Sequence, residues 1–125
     1  MKYNKIYDSI PYLEQVSHTY EAYTYISSED KNIPHIKYSD EIQIFLQNCY
    51  QEKLINENYA TIKNKYCLSN DSCNEDTPME VIEALISQII IKDRFVDGFL
   101  IERIYNGELL SLLKLLQNKD KQPIF

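Results

Sequence analysis

The chain holds 125 residues, with 13 Lys and Arg against 19 Asp and Glu and a net charge of −6 at pH 7. That length suits one domain, which buries enough surface to need neither a metal nor a disulfide. With 2 Gly and 4 Pro a sandwich or barrel of many tight turns is disfavoured, and an acidic chain with Arg94 and Arg103 as its arginines lacks the phosphate-neutralising chemistry of a nucleic-acid binder.

From Tyr3 to Gln15 the apolar residues Ile6, Tyr7, Ile10 and Leu13 recur at helical spacing, and Pro11 predicts a kink or two short helical pieces. Tyr20 to Ile26 is rich in residues that favour strands. A polar turn follows, and Ile33 to Tyr38 is a second extended run that Pro34 confines to a sheet edge. The expectation is an antiparallel β-hairpin near residues 20–38, which must lie on helices because a lone hairpin is marginal. Ser39 or Asp40 caps the next helix, Asp40 and Gln43 having capping-box spacing. Ile42, Phe45, Leu46 and Cys49 form its apolar stripe, with Tyr50 beside them. Tyr59, Ile62 and Tyr66 repeat the pattern more weakly, and residues 69–76 read as a polar loop.

Thr77-Pro78-Met79-Glu80 combines a Thr cap, Pro at the first helical position and Glu at the third. Val81, Ile82, Leu85, Ile86, Ile89 and Ile90 then give a broad apolar face, predicting the central helix of the core. Phe95 to Ile104 reads as a further helix stopped by Asn106-Gly107. Leu109, Leu110, Leu112, Leu113, Leu115 and Leu116 predict a last helix buried on much of its circumference, or one whose spare face meets a partner or a second copy. Residues 117–125 read as a polar tail. The fold class is mainly α (α+β), one domain over residues 1–125.

The stretch from Lys92-Asp93-Arg94-Phe95-Val96-Asp97-Gly98-Phe99 through Ile104-Tyr105-Asn106-Gly107 to Leu112-Leu113-Lys114-Leu115-Leu116 resembles small uncharacterised bacterial proteins of the domain-of-unknown-function family sixty-five-oh-eight. Members share an Arg-Phe-x-Asp-Gly element before a Gly-broken pair of helices. Ile10-Pro11-Tyr12-Leu13-Glu14 and Tyr38-Ser39-Asp40-Glu41 extend the resemblance over most of the chain. It implies a compact domain of bacterial or phage origin and brings no chemistry with it.

Five residues are candidates for binding. Tyr23, Tyr25 and Tyr38, with Tyr20, cluster on the hairpin, where aromatic rings are expected on both faces; Tyr suits interfaces through its apolar body and polar tip. Arg94 and Asp97 lie between two helices, where Arg94 anchors an anionic ligand oriented by Asp97, or Asp97 caps the last helix pair and Arg94 pairs with a carboxylate or caps carbonyls. No catalytic residue, cofactor or metal is expected. Cys49, Cys67 and Cys73 lack zinc-ligand spacing, and neither His18 nor His35 stands in a familiar nucleophile context. Gly98 and Gly107 cannot make a phosphate loop. Ile89-Ile90-Ile91 is too short to span a bilayer, and residues 1–10 carry no apolar signal region, which fits reduced thiols in the cytoplasm. The expected function is non-enzymatic binding or regulation through protein contacts, including acidic inhibition of a basic host protein. The alternative is a small-ligand protein or enzyme with a pocket near Arg94 and Asp97.

Overall fold

A computed structural model describes residues 2–19, 23–27, 34–66, 76–96 and 98–121, which are mainly helical. In chain order they form α1 (Asn4–Tyr7), α2 (Ile10–Thr19), β1 (Tyr23–Ser27), β2 (Pro34–Tyr38), α3 (Asp40–Gln51), α4 (Tyr59–Tyr66), α5 (Met79–Lys92), α6 (Phe99–Tyr105) and α7 (Glu108–Lys121). The strands pair antiparallel, with Tyr23 opposite Tyr38 and Tyr25 opposite Ile36. Tyr20, Cys67, Cys73 and Asp97 lie outside the described residues.

Helix α5 is the centre. Val81, Ile82, Ala84, Leu85, Ile86, Ser87, Ile89 and Ile90 are buried around most of its circumference, and α4, α6 and α7 pack against it. Fully burying each such aliphatic side chain contributes about 1.5–3 kcal/mol, so this helix dominates the core energetically. Leu109, Leu112, Leu113 and Leu116 of α7 are buried in the same core, and Leu110 and Leu115 pack against it. Four of the six leucines of α7 are therefore consumed internally, and Leu110 and Leu115 stay half-buried at the margin of the core. Ser87 is the buried polar residue of α5. Its hydroxyl donates to the Glu83 carbonyl (2.8 Å) and accepts the Asn56 N–H (2.9 Å), which fixes the loop between α3 and α4.

The amino terminus is held by side chains from remote elements. Asp120 Oδ2 accepts the backbone N–H of Lys2 (2.6 Å) and the hydroxyl of Tyr7 (2.9 Å). Glu52 accepts the N–H of Ile6 (3.0 Å), and the Tyr3 hydroxyl donates to Glu83. These carboxylates satisfy orphan donors at the start of the four-residue α1 and face its positive end. They also explain why the predicted polar tail is helical as far as Lys121: Asp120 is drawn onto the N-terminal turn.

Local signals set most helix ends. The break between α1 and α2 falls at Asp8–Ser9, leaving Pro11 in the first turn of α2, where its missing N–H is harmless. Ser39, not Asp40, caps α3, accepting the Ile42 N–H (3.4 Å), while Gln43 donates to the Tyr38 carbonyl (2.9 Å). Helix α3 closes with Lys53 at φ 62, with Leu54 N–H bonded to the Cys49 carbonyl (3.0 Å) and Lys53 N–H to that of Tyr50 (3.1 Å). This is a Schellman arrangement in which Lys occupies the left-handed position usually given to Gly. Helix α5 starts one residue later than predicted. Pro78 at ψ 143 sits in the cap position, and its carbonyl accepts from Val81 and Ile82, while Thr77 is buried.

Candidate functional site

The segment between α5 and α6 departs most from the predicted helix. Residues 93–96 form a turn, and α6 begins at Phe99. The reason is local. Gly98 adopts φ 82, a left-handed conformation that a continuing helix cannot contain. Asp93 then does the capping: its carboxylate accepts the N–H of Leu100 (3.0 Å) in the first turn of α6. The same carboxylate accepts the hydroxyl of Tyr38 (2.5 Å), so β2 and both helix ends are fastened at one side chain.

Backbone bonds from Phe95 N–H (3.0 Å) and Val96 N–H (2.9 Å) to the Lys92 carbonyl hold the turn. Phe95 is 81% exposed and Val96 52% exposed. Next to them the Arg94 guanidinium lies 5.1 Å from the ring centroid of the exposed Tyr50 and donates to its hydroxyl. Such stacking orders a planar guanidinium without neutralising it. Behind the turn, Lys92 and Arg103 approach the Phe99 ring at 5.7 and 4.2 Å, and Arg103 is ion-paired with Glu108 (2.9 Å) and Glu102 (3.3 Å).

The predicted binding residues divide accordingly. Tyr23, Tyr25 and Tyr38 fall at register positions on one face of the β1–β2 ribbon, while Tyr20, the fourth tyrosine of the two-faced expectation, lies outside the described residues. The side chains of Tyr23 and Tyr25 lie outside what the structure describes. Tyr38 packs against the core and anchors the ribbon through Asp93, a structural duty. Arg94 is exposed and contacts the Tyr50 hydroxyl, where a carboxylate or helix-end carbonyls were the expected structural partners. Sequence reasoning missed Asp93, Tyr50 and Phe95 as members of the site. Asp93 caps a residue seven positions away, beyond any local cap spacing. The apolar pair Phe95-Val96 mimics the interior of a helix. Tyr50 adjoins Arg94 across 44 positions of sequence, a pairing that only the tertiary fold makes.

A groove of about 290 Å³ lies elsewhere, lined by Lys5, Asp8, Tyr12, Glu41, Ile44 and Asn48 among others. Neither Tyr38 nor Arg94, the predicted binding residues whose side chains are described, lines it. Among the described residues no group of three or more His, Cys, Asp or Glu is placed to hold a metal, and no helix is long and apolar enough to cross a membrane. Cys49 is buried, and burial, aided by the charge of Glu52, pushes its thiol well above the usual range. A thiolate nucleophile at neutral pH is thereby disfavoured.

No curated protein and no solved structure matches the chain. A family model described as a family of unknown function matches residues 1–121. Its span takes in every described element, including the turn that carries Arg94 and Phe95. The chain therefore belongs to the family of unknown function DUF6508.

Proposed function

We propose that this protein is a non-enzymatic binding or regulatory module whose docking surface is the α5–α6 turn together with Tyr50. The observation that carries the reading is Phe95, 81% exposed on a turn held by backbone bonds and by Asp93. An aromatic ring in water has no stabilising role in the monomer, whereas on a fixed turn it binds with little ordering cost. Arg94 and Tyr50 supply residue types that dominate interface energies. The rival reading, a small-ligand pocket near Arg94 and Asp97, is less favoured because the Arg94 guanidinium already has Tyr50 as its partner. A reducing cytoplasmic setting suits Cys49, which is a free buried thiol.

Affinity capture tests this reading with two baits, the wild-type chain and Phe95→Ser/Val96→Ser, matched for fold by circular dichroism. A protein retained by the wild type and lost from the double variant supports it. Equal retention by both baits, or none by either, refutes it.

A further inference from the structure

We infer that the outer edge of β1 pairs antiparallel with β1 of a second copy of this chain, making one four-stranded sheet across a two-fold axis. Among the described residues the sheet has two strands, so each strand carries one outer edge. Such an edge presents N–H and C=O groups that template a further strand, and proteins guard it with Pro, Lys or other charges. β2 is guarded: it carries Pro34, which has no N–H to offer, and Lys37. β1 is not. It reads Tyr-Thr-Tyr-Ile-Ser, without charge, Pro or Gly, and four of its five residues favour strands.

The composition of β1 also selects the occupant. A strand laid antiparallel on its own copy opposes positions whose numbers share one sum, and that sum is even because opposed residues share a face. With the axis at Thr24, Thr24 meets Thr24 of the copy and Tyr23 meets Tyr25. Thr–Thr and aromatic pairs are among those that stabilise neighbouring strands. Self-pairing on the axis sets any charge there against a like charge, and β1 has none. The nearest carboxylates in sequence, Glu21 and Glu29, fall opposite Ser27 and Thr19, so they do not meet. A two-fold contact needs one self-complementary surface, which makes it the commonest assembly of identical chains. The inference does not depend on the docking role of the α5–α6 turn.

Sedimentation velocity from micromolar to millimolar concentration, with amide exchange followed by NMR over the same range, tests it. The expected result is a reversible monomer–dimer equilibrium in which alternate amides of β1 slow as concentration rises, while the outer amides of β2 do not. Thr24→Glu suits the ribbon, where position 24 faces Lys37, but it opposes two carboxylates on the axis and should weaken the dimer about tenfold. Thr24→Lys should weaken it likewise, and mixing the two variants should restore it. A monomer at every concentration overturns the inference. So does a dimer that Thr24→Glu leaves intact, one in which β1 amides do not slow, or a mixture of folded variants that stays monomeric. Protection of β1 amides in the monomer overturns it by giving the edge to another segment of this chain. Protection that appears only with a protein retained in the affinity capture overturns it by giving the edge to a foreign strand.

Discussion

Raising the pH should unfold this protein through two buried tyrosines. Tyr3 is fully buried and Tyr7 is 5% exposed, and the hydroxyls donate to Glu83 and Asp120. Burial first, then these hydrogen bonds, then the adjacent negative charges push both phenols far above their ordinary value of 10.0. A folded pKa raised above the unfolded one gives stability that is complete below about pH 10 and is lost as pH climbs, because the unfolded chain ionises first. At about pH 11 each tyrosine costs about 1.4 kcal/mol, and the pair about 2.8 kcal/mol. With a urea dependence of about 2 kcal/mol per molar, the midpoint falls by about 1.4 M between neutral pH and pH 11. Cys49, also pushed up by burial, adds a loss common to every variant, so chains are compared at each pH. Tyr3→Phe and Tyr7→Phe are less stable at neutral pH, since Glu83 and Asp120 each lose a donor. Each should nonetheless lose about 1.4 kcal/mol of the wild-type destabilisation between neutral pH and pH 11, and the double variant about 2.8 kcal/mol of it. A single Phe variant that keeps the full wild-type slope would falsify this account. So would a tyrosinate absorbance titration in which all eleven tyrosines ionise together in the folded state.

Three further outcomes follow from single contacts. Ser87→Ala leaves the Asn56 N–H without its acceptor and should destabilise by about 1–3 kcal/mol, with amide exchange accelerating first in the loop between α3 and α4. Lys53→Gly removes a left-handed Lys and should raise stability by about 0.5–1 kcal/mol in urea titrations. Tyr38→Phe deletes the donor to Asp93 and should cost about 1.5–3 kcal/mol; unchanged stability and unchanged amide protection of the strands would count against the anchoring role.

Much of this fold is legible in the chain because its signals are local or periodic. The apolar spacing from Val81 to Ile90 marks a buried helix wherever it packs. Ser39 and Gly107 end their helices through dihedral preferences that need no distant partner. The Tyr-rich runs around a polar turn specify strands, and their antiparallel pairing follows from a short connection.

What tertiary structure decided are the matters that depend on residues far apart. Asp120 turns an apparently polar tail into the last turn of α7 because Lys2 and Tyr7, more than a hundred positions away, reach it. Asp93 and Gly98 cut a predicted helix short and leave Phe95 in water. Arg94 meets Tyr50, 44 positions earlier, only because the fold brings the carboxy-terminal end of α3 to the turn after α5. Helical period reports which side chains share a face. It carries no information on which face finds a neighbour, and the candidate surface is made where that neighbour is missing.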